Sequence, residues 1–153
     1  MTKKTNDKIV LEMTPEQAKI VERATELFFR LHMGQFEEIK WALYHSVSEW
    51  PAKNANSIDS TLNFLRSLFF PNLRLGESNG IDTNPDCHTA FNVYQAVRYV
   101  YSWYMNPEGG LGVNFDTPMG GGMPVPKCYV VKEGETHEIN GRDQDAPAYP
   151  YHF

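Results

Sequence analysis

Cys87 and Cys128 are the only cysteines in the chain. A disulfide framework draws on more of them, in a shorter secreted chain, so both are read as reduced thiols that pack as small residues. No apolar run reaches the ~18–20 residues of a membrane span. The opening MTKKTNDKIVLEM lacks the apolar core of a signal peptide. Positive charge is also scarce: 14 basic residues stand against 19 acidic ones, a net charge of -5. The one dense basic run is Lys3, Lys4 and Lys8. A chain that neutralises many phosphates needs a basic stripe, so nucleic acid is disfavoured as a partner. The acidic residues are interspersed with basic ones, which argues against a nucleic-acid mimic. Together these absences lead to the expectation of a cytoplasmic protein with no membrane partner.

Catalytic signatures are missing as well. The histidines are His32, His45, His88, His137 and His152, with no HExxH, no CxxC and no pair at i, i+4. No metal and no cofactor is expected. Cys87 and His88 are neighbours in sequence, so on a helix they point about 100° apart and cannot act on each other. A dyad of His88 with Cys128 would have to form across the fold. The GGLG and GGG segments lack the pattern of a phosphate loop and the helix that follows one. Glu37 and Glu38 diverge on a helix, and Asp82 and Asp86 lie in or beside a loop. No catalytic residue is assigned.

The chain does contain the means to fold. Its 153 residues suggest one domain, able to bury roughly 68–70% of the unfolded surface. Hydrophobic residues make up 41% and aromatics 13%, too apolar for disorder over most of the length. The core is expected within about residues 9–132, with 1–8 and 141–153 loosely attached. The pattern predicts a mainly α fold of about four helices, a small β element and a long ordered Gly/Pro-rich C-terminal segment.

The helices are marked by their ends. TPEQ reads as a capping box, with Thr14 as cap and Pro15 at the first position. Ile20, Ala24, Leu27, Phe28 and Leu31 then recur at helical spacing, and Gly34 stops or bends the chain. Phe36, Ile39, Leu43 and Val47 share the next face, up to Pro51. In the third helix Ile58, Leu62, Leu65 and Phe69 form one stripe, Ser57 is the candidate cap and Pro71 the terminator. Arg66 is its sole charged side chain after Asp59. The fourth helix is bracketed by Pro85 and Pro107, with Asn84 as cap. Ala90, Val93, Val97, Val100 and Tyr104 line its expected core side. A second stripe, His88, Asn92, Gln95, Tyr99 and Ser102, is polar yet uncharged, which is unusual for a merely solvated face. KIVLEM, GVNF and KCYVVKE read as short strands. The stretch from Gly109 to Cys128 holds six glycines and three prolines, punctuated by Val113, Phe115, Met119, Met123 and Val125. So many apolar residues argue for a loop docked on the helices, not a linker.

The stretches MTPEQAKIVERATELFFRLHMGQFEEI and NVYQAVRYVYSWYMNPEGGLGVNFDTPM, extending to PVPKC, resemble a group of small bacteriophage-encoded proteins with no established reaction. The resemblance spans most of the chain. It is carried by the Gly34-Gln35-Phe36 corner, the Val97-Arg98 step, and Phe115-Asp116 with Pro118. It implies a phage origin and a place in the host cytoplasm. By association it implies work against host machinery or host defence.

Arg98 lies within an otherwise apolar helix, and a buried arginine must be paired. One reading is an ion pair to Asp116 or Glu38 that pins the Gly/Pro segment. The other is a fork for a phosphate or carboxylate of a ligand. Asp116 itself reads either as a turn residue accepting a backbone N–H or as a ligand contact. The candidate ligand-binding set is therefore Arg98, His88, Asn92, Gln95, Tyr99 and Asp116. The favoured expectation is a non-enzymatic binder of a small anionic, nucleotide-like ligand of host defence. A protein–protein inhibitor or adaptor acting on a host enzyme, and a small hydrolase with a His/Asp/Cys set, stand as alternatives. A homo-oligomer is left open.

Overall fold

The computed structural model describes residues 9–44, 54–109, 117–120, 126–131 and 133–134. Among the described residues four α-helices follow one another: α1 (Pro15–His32), α2 (Glu38–Tyr44), α3 (Ala55–Phe69) and α4 (Pro85–Met105), with a 3-10 turn at Ile81–Thr83 before the last. The mainly helical expectation holds. The small β element is not found where the structure describes it: among the described residues of KIVLEM and KCYVVKE there is no strand. Residues 9–13 lie open, with Ile9 fully exposed, and residues 126–131 have no ladder partner. β-branched content marks a segment that suits a sheet, but only pairing makes it a strand. GVNF and most of the Gly/Pro-rich segment, with 1–8 and 141–153, lie outside the described residues.

α1 begins where its sequence says it should. The Thr14 hydroxyl accepts from the Gln17 amide at 3.3 Å, and the Thr14 amide donates to the Gln17 side chain at 2.9 Å. Two orphan donors of the first turn are thereby satisfied. α1 ends at Gly34, whose φ of +82° suits glycine. A Cβ there would stand 3.0 Å from the Leu73 methyl carbon, so a larger residue would have to displace that side chain as well as adopt an unfavourable φ.

α1 and α4 form the main helical pair and run antiparallel. Phe29 of α1 meets Phe91 and Tyr94, ring centroids 5.4 Å apart in both cases. Further along, Lys19 stands over the Tyr101 ring. Phe29, Cys87 and Tyr94 are the buried centre of this seam, with Met33, Ile81, Ala90 and Phe91 against it. α4 starts as expected: Asn84 accepts from the Cys87 amide at 2.7 Å, with Pro85 at the first position. The Asn84 side chain also meets the His32 ring nitrogen at 2.9 Å, tying the start of α4 to the end of α1.

α2 follows the Gly34 corner and is described only to Tyr44, so its extension towards Pro51 lies outside the described residues. α3 starts earlier than Ser57, at Ala55, with Asn54 in the cap position and making no side-chain capping bond. Ser57 therefore sits inside the helix and is not its cap. The Phe36 ring lies 6.0 Å from both Phe69 and Phe70, and Lys40 pairs with Asp59 at 2.7 Å.

What fastens α3 is Arg66. Its side chain is buried, and it donates to three backbone carbonyls: Gly34 at 2.9 Å, Arg74 at 2.7 Å, and Glu77. One guanidinium thus joins α3, the Gly34 corner and the loop after Phe70. Its rigid fork of donors suits three acceptors from separate segments. The Asn79 amide adds a bond to the Met33 carbonyl at 2.8 Å.

Candidate functional site

α4 is buried around most of its circumference. The stripe read as polar and uncharged is among its most deeply buried parts: Asn92 is 1% exposed, Gln95 4%, Tyr99 5% and His88 8%. Val97 and Val100 are buried too, whereas Tyr104, expected on the core side, is exposed. The structure therefore brings His88, Asn92, Gln95 and Tyr99 together on one inward stripe.

That stripe carries uncompensated polarity. His88 Nε2 and Gln95 Oε1 are buried and have no hydrogen-bond partner among the described residues. Burying such an atom unbonded costs about 1–3 kcal/mol, so each calls for a reason. The other His88 nitrogen, Nδ1, lies 3.1 Å from an oxygen of the exposed Asp82. This contact fixes the ring plane and leaves Nε2 directed away from Asp82.

Arg98 departs from its predicted environment. It is half-buried, and its guanidinium carbon lies 5.8 Å from the Tyr94 ring centroid. Glu38, one of its two candidate partners, instead approaches Arg30 at 3.4 Å, and Arg30 also holds Glu26 at 3.0 Å. Asp116, the other candidate, lies outside the described residues. Among the described residues no carboxylate comes within ion-pairing distance of Arg98. The rule that a buried arginine must be satisfied does hold here, but at Arg66, and with carbonyls in place of a carboxylate.

The surroundings of Arg98 are electrically mixed. Burial is the largest influence on Tyr94 and raises its hydroxyl above the ordinary phenol range. Glu26 and Glu22 push the same way, and Arg98 and Arg30 oppose them. The phenol thus stays neutral beneath the guanidinium. Glu22 is itself buried and is held by Lys19 at 2.7 Å.

The thiols are poorly placed for attack. Cys87 is fully buried, and its Sγ lies 3.6 Å from the Phe29 carbonyl. Burial raises its pKa, and Asp82 raises it further. Burial likewise raises Cys128. The thiolate is the nucleophile, so both shifts reduce reactivity. Among the described residues no three of His, Cys, Asp and Glu converge as a metal site, and no helix is long and apolar enough to cross a membrane.

Sequence reasoning missed Tyr94 as the platform for Arg98, because an aromatic at helical spacing reads as core. It also missed Glu22, whose spacing from Lys19 was the available sign. Compared with protein-family models, characterised proteins and solved structures, the chain matches none.

Proposed function

We propose that the chain is a non-enzymatic binding protein that captures a small anionic, nucleotide-like ligand, in the phage anti-defence setting that its resemblance suggests. The observation that carries this reading is Arg98. Its guanidinium is half-buried, rests over Tyr94, and has no carboxylate beside it among the described residues. An arginine attracted to an aromatic face through its charge keeps N–H donors for an anion. Gln95, three residues earlier, is its neighbour on the helix surface and brings an unsatisfied acceptor. A phosphate at Arg98 and a donor-bearing group at Gln95 would satisfy both. The raised thiol pKa values at Cys87 and Cys128 weaken the hydrolase alternative, which needs a reactive nucleophile.

The test is calorimetric titration with mononucleotides, dinucleotides and cyclic dinucleotides, with inorganic phosphate as a control. At least one nucleotide should bind saturably. Arg98→Lys keeps the charge but loses the fork, and should weaken that binding at least tenfold while the melting temperature stays put. Absence of binding, or binding indifferent to Arg98→Lys, overturns the proposal.

A further inference from the structure

α3 presents an apolar face that the described chain leaves largely open, touched only where the Phe36 ring reaches Phe69. Phe64, Leu68 and Phe69 are 64%, 63% and 67% exposed, and Leu65 is 38% exposed. At 100° per residue these four fall within an arc of roughly 140°. The helix rests on the body by a different edge, the one carrying buried Arg66. Arg66 is also the only charged side chain between residues 60 and 69. The exposed polar positions around the apolar arc are Ser57, Ser60, Thr61, Asn63 and Ser67. An extended apolar patch without charge is the composition of an interface centre, not of a solvated helix.

We propose that this face is the contact between two copies of the chain, joined two-fold through antiparallel α3 helices. Three observations favour a second copy. First, each copy has a net charge of -5, which opposes self-association overall, and a charge-free face is where two copies meet without adding close like-charge contacts to that repulsion. Second, a face with no charges is complementary to itself: paired with its own image it buries no unpaired ion, as an isologous contact requires. A partner recognised by steering would find no charge here to complement. An anionic bilayer would find no lysine on α3 to hold its headgroups. Third, the area suffices. The four exposed side chains offer on the order of 450 Å² of apolar surface per copy, given what aromatic and leucine side chains bury. With the flanking serines and Thr61, two copies approach the ~1,200 Å² at which specific interfaces begin. This contact is independent of any ligand at Arg98.

Sedimentation equilibrium of the full chain over a dilution series tests the proposal. The wild type should approach twice the 17.5 kDa monomer mass at the concentrated end. Leu68→Glu places a carboxylate at the centre of the face and should weaken dimerisation more than tenfold. Thr61→Arg provides a milder test on an exposed position, where folding is not at stake, and should weaken it in the same direction. Circular dichroism identifies a variant that has failed to fold. A wild type that stays monomeric at every concentration overturns the proposal and assigns the face to a different protein or to the remainder of the same chain. A dimer undiminished in Thr61→Arg overturns it equally.

Discussion

Helices α3 and α4 carry stripes of similar clarity in the sequence and place them in opposite ways. In α4 the polar residues His88, Asn92, Gln95 and Tyr99 are inside. In α3 the apolar stripe Ile58, Leu62, Leu65 and Phe69 is half-buried at its first two residues and exposed at its last two, and Phe64 and Leu68 beside it are exposed as well. Periodicity shows that a helix has two faces, but not which of them meets the protein. That depends on what packs against each face. α4 is held on one side by α1 through Phe29, Phe91 and Tyr94. α3 is held mainly by a polar device, Arg66, with support from Phe36 and from the Lys40–Asp59 pair. A helix fastened by hydrogen bonds leaves its apolar side available, and a helix enclosed by neighbours must take its polar residues in with it.

The largest expected effect comes from cutting the fastening of α3. Arg66→Met removes the donor for the Gly34, Arg74 and Glu77 carbonyls while keeping most of the volume. Hydrogen bonds from a charged group contribute about 1.5–3 kcal/mol each, and three on one side chain are not additive. A loss of about 3 kcal/mol, roughly 6–12 °C in a chain of this size, is expected by thermal melting. Arg66→Lys, a point donor, should recover only a minor part. A fall of under 2 °C in Arg66→Met would mean that α3 is held by its aromatic contacts, and the contrast between the two helices would fail.

A smaller effect tests the interior of α4. Gln95→Met replaces a buried amide whose oxygen has no partner among the described residues with an apolar chain of similar length. Removing an unsatisfied acceptor should leave stability unchanged or raise it by up to about 1 kcal/mol, some 2–4 °C. The same variant should bind any nucleotide that Arg98 holds less tightly. If Gln95→Met melts lower than wild type by several degrees, the amide is satisfied by a buried water or by another part of the chain. The stripe is then a structural network and not a site.

The comparison also shows what could be read without coordinates. The ends of α1 and α4 were legible because capping is local: Thr14 with Gln17, and Asn84 with Pro85, settle their own turns whatever lies beyond. The Gly34 corner was legible for the same reason. The interior was less so. The argument that a lone arginine in an apolar helix must be satisfied was sound, but both Arg66 and Arg98 fitted it, and only tertiary placement separates them. Arg66 meets carbonyls from residues 34, 74 and 77, segments that no spacing rule brings together. KIVLEM and KCYVVKE show no strand among the described residues, because β-branched residues describe a preference and a ladder needs a second strand. The polar stripe of α4 was noticed as odd for a solvated face, and burial is the physical reason for its composition.

The smallest effect lies at the corner where α2 leads from α1 towards α3. Burial is the main influence on Glu38 and raises its carboxyl above the ordinary glutamate range. Arg30 counters this, while Glu26 and Glu37 add to it. A raised carboxyl means that the folded state favours the proton. This contribution to stability is full below the unfolded pKa of about 4.3 and is lost as pH rises through the folded value. At pH 7 the ionised Glu38 therefore costs stability. Glu38→Gln should melt slightly higher than wild type at pH 7, by on the order of 1 °C, since the side chain is partly solvated and water screens it. The difference should vanish below about pH 4, where wild-type Glu38 is protonated as well. Arg30 also holds Glu26, at 3.0 Å, so the substitution does not strand it. Melts of both proteins across this range supply the measurement. A Glu38→Gln variant that melts lower than wild type at pH 7 would show that attraction to Arg30 outweighs burial. The corner between α1 and α2 would then be held by its ion pair in the way that α3 is held by Arg66.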